Sequence, residues 1–246
     1  MKRFTWYSLI GFSLLSISGL VYLGEIYLFH RESDTLFYML QDIAFVPIQV
    51  LLVSIIVEEL LSRREKQAKL SKMNMAIGTF FSEAGTELLR RFAAFDQSVS
   101  QIRSRLLVKG EWTDQEFASV RRFLTSYECS IDTGIRDLEA LKSFLLDKRG
   151  FMLSLLENPN LLEHESFTDL LFAVFHLTEE LAVRKTVGSL AKPDYIHVAN
   201  DLKRAYVLLL AEWITYVRHL KNAYPFIFSL VIRTNPFDPN ASPEIK

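Results

Sequence analysis

The sequence predicts an all-α integral membrane protein in which a two-helix transmembrane hairpin precedes a cytosolic helical bundle. Residues 4–24 contain no charged side chain, and residues 35–57 contain only one. The chain has nine glycines and seven prolines among 246 residues, and a low content of these residues favours helices. After residue 58, charges recur every few positions and apolar residues repeat at steps of three and four, as in amphipathic helices.

The predicted division of the chain follows from this change in character. We expect a transmembrane hairpin at 1–59, a cytosolic helical domain at 60–233 and a poorly ordered tail at 234–246. The tail is expected because three prolines fall within its few residues, and chain termini are often poorly ordered. The net charge of −1 and the single cysteine give no indication of a nucleic-acid partner and exclude an intrachain disulfide.

The first predicted span covers about residues 4–28. Its 21 uncharged residues correspond to about 31 Å of helix, which matches the hydrocarbon core of a bilayer. The basic start and the small residues Ser16 and Ser18 would also suit a signal peptide, but the apolar stretch is longer than a typical signal core. Aromatic rings favour the membrane interfaces, and four of them lie near the two ends of the span: Trp6, Tyr7, Tyr22 and Tyr27.

The second predicted span covers about residues 35–58. Counted from Leu36, its apolar run is long enough to cross a bilayer, although it carries Asp42 nearly two turns inside the helix. A hairpin in a soluble protein is the alternative, and two such runs next to a basic flank argue against it. Pro47 lacks a backbone donor and crowds the carbonyl of Ile43, so we expect a kink there.

The charges that flank the spans predict the orientation. The connection between the spans is weakly acidic, whereas basic residues precede the first span and follow the second. The positive-inside rule therefore places both termini in the cytoplasm, in a multi-pass protein of the plasma or inner membrane. The residues expected to contact lipid headgroups are Arg63, Arg64, Lys66, Lys69 and Lys72.

The cytosolic domain is predicted to be a bundle of roughly five helices. A long helix leaves the membrane from about residue 60, and Gly78 and Gly85 indicate close packing or a bend within it. The capping box at 113–116 begins a helix with an apolar stripe that we extend to Ile131. Further helices are expected at about 135–157 and 166–185, from residue 192 up to Pro225, and at 226–232.

A pathway for cations is the most specific site that the sequence suggests. Ionisable groups at membrane depth are costly and mark ion pathways, and rings of carboxylates in a symmetric oligomer attract cations. The alternative for Asp42 is that its carboxylate reaches the interface or caps a helix that begins there. The candidate pathway residues are Glu25, Glu32, Asp34, Asp42 and Gln49.

No metal site, cofactor or catalytic residue is predicted. His176 and His197 lie near acidic residues, but neither segment has the Glu-x-x-His pattern of bundle di-iron sites, and capping explains Asp194 better. Cys129 is expected to be a buried structural cysteine on a helix. The sequence contains none of the common phosphate-binding, zinc-protease or serine-hydrolase motifs, and no basic patch with interleaved aromatic residues for nucleic acid.

Three functions follow from these expectations. The first is a non-enzymatic membrane protein whose cytosolic domain mediates assembly or sensing, as a homo-oligomer and with a possible cytosolic protein partner. The second is a small oligomeric cation channel lined by the second span, and the third is a membrane-tethered enzyme. Small residues that would let helices approach closely in lipid are Gly11, Ser13, Ser16, Ser18 and Gly19.

Overall fold

The computed structural model describes residues 2–29, 32–134, 138–162 and 164–244, without the side chains of 2–11, 29, 32 and 162. The described chain is all-helical, apart from one isolated bridge between Asp96 and Ile131. It divides into two compact units, residues 1–66 and 67–246. The elements are α1 (Lys2–Phe29), α2 (Glu32–Phe80), a π-helical turn (Phe81–Gly85), α3 (Thr86–Ala93), α4 (Val99–Leu106), α5 (Asp114–Thr125), α6 (Leu138–Leu156), α7 (Pro159–Leu162), α8 (Glu165–Val183), α9 (Lys192–Ala223) and α10 (Pro225–Arg233).

The N-terminal unit consists of α1 and the first part of α2, and most of its described side chains are exposed. By length and composition, one described helix could cross a membrane. It is the helical stretch Ser33–Ala93, whose most apolar window has a mean hydropathy of 2.1 and no buried residue. In α1, the described side chains give a shorter apolar helix, Phe12–Leu28. The two helices lie where the spans are predicted, and insertion into a membrane stays a prediction.

The C-terminal unit is built around α9. This helix packs against α5, α8 and α10, and α6 packs against α8. The apolar stripe of α8 from Phe167 to Leu181 faces the core, and its residues are buried. Pro193 begins α9 and Pro225 begins α10, as the fixed φ of proline favours. The largest fully buried side chains of the unit include Trp213, Tyr206, Phe80, Phe81, Phe92, Phe117 and Phe167.

The close packing predicted for the two glycines is found at Gly85 and not at Gly78. A Cβ at Gly78 would lie 3.7 Å from the ring of Tyr216 on α9. A Cβ at Gly85 would lie only 2.7 Å from ring carbons of Phe80 and Phe81, so this position has no room for a larger residue. Gly85 ends the π-helical turn, and that turn carries the chain from α2 into α3.

The helix predicted to extend to Ile131 is shorter than expected. α5 begins at the predicted capping box but ends at Thr125, so Tyr127, Cys129 and Ile131 lie in an extended segment. The placement of Cys129 on a helix was therefore wrong, although Cys129 is buried as expected. The cause is Asp96, because its Oδ2 accepts from the Tyr127 hydroxyl at 2.5 Å and its Oδ1 accepts from the Ser130 amide at 3.1 Å.

The prediction of a poorly ordered tail was also wrong for the segment that follows α10. Asn235 is 2% exposed, its side-chain amide donates to the carbonyl of Leu106 at 2.8 Å, and its carbonyl oxygen accepts from the Phe237 amide. The Phe237 ring packs edge-on against Trp213 with ring centroids 5.5 Å apart. The prolines prevent a helix here, but the Asn235 side chain and the Phe237 ring still attach the segment to the core.

Candidate functional site

A hydrogen bond joins the two helices of the N-terminal unit at Asp42. The hydroxyl of Tyr22 on α1 donates to Oδ2 of Asp42 on α2 at 3.1 Å. The sequence analysis placed Tyr22 at a membrane interface and did not pair it with Asp42, because nothing in the sequence fixes which faces of two apolar helices meet. In an apolar solvent, such an interhelical bond satisfies a polar group that would otherwise have no partner.

The other residues of the predicted cation pathway are only partly located. Gln49 and Asp34 are exposed on α2, and Glu25 is half-buried on α1. The side chain of Glu32 lies outside the described residues. Asp42 and Gln49 are seven residues apart on α2, a spacing that favours one face of the helix. Rings of carboxylates require several copies of the chain, and the pathway therefore stays a prediction.

Pro47 and the basic cluster both lie along α2. The helix continues through Pro47, and the expected kink stays a prediction. All five residues of the cluster, Arg63, Arg64, Lys66, Lys69 and Lys72, are exposed. Arg63 also pairs with Glu59 one turn earlier, with its Nε 2.6 Å from Oε1. Basic side chains must be exposed to contact lipid headgroups, and this contact stays a prediction.

The C-terminal unit brings together a group of histidines and acids that the sequence analysis discounted. His176 lies on α8, and His197 and Asp201 lie one turn apart on α9. Nε2 of His176 is 3.5 Å, and Nε2 of His197 is 3.4 Å, from Oδ2 of Asp201. Nε2 of His197 also lies 3.5 Å from Oε2 of Glu180 on α8. We refer to His176, Glu180, His197 and Asp201 as the histidine–acid cluster.

An arginine holds one acid of this cluster in place. Nη1 of Arg184 lies 2.7 Å from Oε2 of Glu180, and Nη2 lies 3.2 Å from Oδ1 of Asp194. The bond from Arg184 lowers the pKa of the Glu180 carboxyl, with smaller contributions from both histidines. Glu180 is therefore an anion at neutral pH. The ion pair with Arg184 also assigns Asp194 a role that the sequence analysis attributed to capping alone.

A cavity of about 480 Å³ opens beside the π-helical turn of the C-terminal unit. Most of the lining surface is apolar, and the polar groups come from Asn74, Thr79, Ser82, Glu83, Tyr216, His219 and Tyr224. Burial raises the pKa of the Tyr216 phenol and lowers the pKa of the His219 imidazole. Both side chains are therefore neutral at pH 7. A concave, largely apolar site with a few polar groups suits a small organic ligand.

The fold alone defines the structural class of the protein. It is an all-helical chain with an apolar N-terminal unit and a compact helical C-terminal unit. Two family models match it in tandem: "MJ1433, N-terminal helical domain" over residues 2–61 and "Uncharacterized protein MJ1433, C-terminal helical domain" over residues 69–233. The chain therefore belongs to the MJ1433 family.

The whole chain is also similar to the "Uncharacterized protein MJ1433" of Methanocaldococcus jannaschii. The two are 45% identical over 230 residues, which cover 94% of this chain and 92% of the relative. No solved structure matches the chain. The two family models leave a gap between residues 61 and 69, and the division of the structure into units falls inside that gap, after residue 66.

Proposed function

We propose that this protein is a non-enzymatic two-span membrane protein with its C-terminal helical domain in the cytoplasm. The observation that carries the proposal is the apolar surface of the N-terminal unit, where the most apolar window of α2 has no buried residue. A water-soluble monomer rarely exposes a contiguous apolar patch of more than several hundred Å². Such a surface is stable in lipid. The two spans would be formed by residues 4–28 and 35–58, approximately.

The proposed orientation places both termini in the cytoplasm. The cluster from Arg63 to Lys72 follows the second span and is exposed, as contact with lipid headgroups requires. The positive-inside rule then assigns the cluster to the cytoplasmic side and the connection between the helices to the outside. This orientation makes the C-terminal domain a cytoplasmic platform for assembly or sensing.

Two features support assembly and sensing as the roles of this protein. A Cβ built at Gly19 or Gly24 on α1 would meet nothing within 4 Å, so this part of α1 offers the close approach that helix pairing in lipid uses. The cavity beside the π-helical turn has the size and lining that a small ligand needs. We propose a homo-oligomer whose cytoplasmic domain responds to a bound small molecule or to a protein partner.

A cation channel is the second candidate, because Asp42 and Gln49 are both exposed on one face of α2. In a ring of several copies, that face would line a central pore, and the carboxylates would attract cations. The bond from Tyr22 to Asp42 supports the opposite assignment, in which Asp42 holds the hairpin together. The number of chains in the intact complex separates the two hypotheses.

The proposed topology is tested with single engineered cysteines in the full-length chain. Burial, and to a smaller extent the Asp96 carboxylate, raise the pKa of Cys129 to about 11, so the natural chain should react only slowly with maleimides and serves as the background control. Ser33→Cys and Ser62→Cys place thiols at exposed positions on either side of the second span. In spheroplasts, an impermeant maleimide should label position 33, and should label position 62 only after permeabilisation. Recovery of the chain in the soluble fraction, or the reverse labelling, would refute the topology.

The assembly is tested by native mass spectrometry of the full-length protein released from mild detergent. A dimer or a larger oligomer is expected. A closed ring of four or more chains would make the channel the leading hypothesis, and ion flux through vesicles carrying Asp42→Asn would then be measured. A monomer would refute assembly through the membrane helices and leave the topology proposal standing on the labelling result.

A further inference from the structure

In the histidine–acid cluster, each of the two helices contributes one histidine and one acid at the same spacing. α8 contributes His176 and Glu180, four residues apart, and α9 contributes His197 and Asp201, also four residues apart. Residues at this spacing lie above one another on one face of a helix. α8 and α9 pack closely along their lengths, so the two pairs face each other across one interface. The arrangement brings two imidazoles and the Asp201 carboxylate together, with the Glu180 carboxylate beside His197.

The distances between these groups fit ligands of a common metal ion better than hydrogen bonds. A hydrogen bond between an imidazolium and a carboxylate is about 2.7–2.9 Å long, whereas the two histidine nitrogens lie 3.4 and 3.5 Å from Oδ2 of Asp201. Two ligands about 2.1 Å from a tetrahedral zinc ion are about 3.4 Å apart. The three ligand atoms of His176, His197 and Asp201 all lie within 4.8 Å of one another.

The state of Asp201 is a second, independent observation. Its side chain is only 4% exposed, and its Oδ2 accepts no hydrogen bond from any residue that the structure describes. The cation of Arg204 lies 3.7 Å from the other oxygen, Oδ1. A buried carboxylate oxygen without a donor is costly unless a cation satisfies it. This oxygen faces both histidines, whose side chains are 48% and 51% exposed, so an ion from solvent can reach it.

We propose that His176, His197 and Asp201 bind a divalent transition-metal ion of the zinc class between α8 and α9. Imidazole nitrogens with a carboxylate suit zinc, cobalt and nickel, whereas calcium and magnesium take oxygen ligands. A water molecule completes the fourth position, and Glu180, which Arg184 holds beside His197, lies next to the site. The bound ion would cross-link the two helices and add a metal-dependent state to the cytoplasmic domain. This inference concerns the C-terminal unit alone and does not depend on the membrane topology.

The direct test is a metal titration of the full-length protein in detergent, purified with a tag that contains no histidine and stripped with a chelator. We expect one Co²⁺ per chain, with the intense visible absorption of a four-coordinate ion, and displacement of Co²⁺ by Zn²⁺. Loss of an outer-sphere partner typically weakens metal binding about 10- to 100-fold. The double variant His176→Ala/His197→Ala, which loses two direct ligands, should therefore bind at least about 100-fold more weakly.

Matched variants separate a metal site from adventitious binding and from misfolding. Asp201→Asn keeps the shape of the side chain and should also weaken binding. Glu179→Gln removes a neighbouring carboxylate that pairs with Arg149 instead, and His219→Gln removes a histidine outside the cluster, so both should bind as the natural chain does. Circular dichroism verifies that each variant is folded. Absence of Co²⁺ and Zn²⁺ binding by the natural chain, or equal affinity in the folded double variant, would overturn the proposal and leave the cluster as an ordinary set of ion pairs.

Discussion

The hydrogen bond between Tyr127 and Asp96 offers the sharpest test of the C-terminal fold. The Tyr127 hydroxyl donates to Oδ2 of Asp96 at 2.5 Å, and Asp96 is 3% exposed. Burial, and then the hydrogen bond to Asp96, raise the pKa of Tyr127 far above its ordinary value, so the phenol keeps its proton and remains a donor. Tyr127→Phe removes only this donor and keeps the ring.

The size of the effect follows from what remains around Asp96. A hydrogen bond to a charged group contributes about 1.5–3 kcal/mol. Oδ1 of Asp96 keeps its two backbone donors, the amides of Ser98 at 2.9 Å and Ser130 at 3.1 Å, so the carboxylate stays partly satisfied. We therefore expect Tyr127→Phe to lower the free energy of unfolding by about 2 kcal/mol. For a chain of this length, that loss lowers Tm by about 4–8 °C.

The assay is thermal unfolding of the full-length protein in detergent, followed by near-UV circular dichroism and by the fluorescence of the buried Trp213. Tyr195→Phe is the matched control, because the Tyr195 hydroxyl makes only a 3.5 Å contact with the carbonyl of Gly188 at the surface, and its removal should cost less than about 0.5 kcal/mol. Equal Tm values for the two variants would show that Asp96 does not fix the segment after α5, and our account of that segment would fail.

Three further predictions concern other parts of the chain. Gly85→Ala should destabilise the C-terminal unit by about 1–3 kcal/mol because its Cβ would overlap two buried phenylalanine rings. Gly150→Ala, at an open position of α6, should stabilise by up to about 1 kcal/mol, and chemical denaturation measures both; a stabilising Gly85→Ala would contradict the packing. Burial lowers the pKa of His219, so the unfolded chain takes up a proton first as pH falls below about 6.5, and stability should fall there. His219→Gln should flatten this part of the Tm–pH curve, and an unchanged curve would refute the assignment. Tyr22→Phe should make the hairpin of the full-length protein in detergent more sensitive to proteolysis, because Asp42 loses its donor within the chain; unchanged proteolysis would show that the bond is dispensable.

Helical periodicity predicted those parts of the C-terminal fold that local sequence determines. The inward face of α8 follows from apolar residues at steps of three and four, and the capping box of α5 from Thr113 and Glu116. The segment after α5 could not be predicted in this way. Its apolar residues keep the helical period, and it is Asp96 and its neighbours Phe95 and Gln97, far away in sequence, that hold it in a non-helical path. The tail was missed for the same reason, because the anchor of Asn235 is the distant carbonyl of Leu106.

The histidine–acid cluster shows how a wrong spacing hides a candidate site. Only the three-residue spacing of di-iron bundles was sought in the sequence, and neither Asp194 with His197 nor His176 with the acids at 179 and 180 has that pattern. The cluster is instead made of two pairs four residues apart, His176 with Glu180 on α8 and His197 with Asp201 on α9. The contacts between the two helices join His176 to Asp201 and His197 to Glu180. A search at this second helical spacing would have found both pairs. Only the packing of α8 against α9 could show that the pairs face each other.

The two proposals for Asp42, a hydrogen-bond acceptor within the hairpin and a pore-lining carboxylate, predict different results for one substitution. If Asp42 serves to accept the bond from Tyr22, Asp42→Asn keeps a carbonyl acceptor and should preserve the oligomer, because the bond needs an acceptor and not a charge. If Asp42 lines a pore, Asn removes the charge that attracts cations, and cation flux through reconstituted vesicles should fall while the oligomer stays intact. An intact oligomer with no flux before or after the substitution therefore assigns Asp42 to the hairpin alone. Loss of the oligomer in Asp42→Asn would show that the charge itself stabilises the assembly, which a single neutral hydrogen bond does not explain.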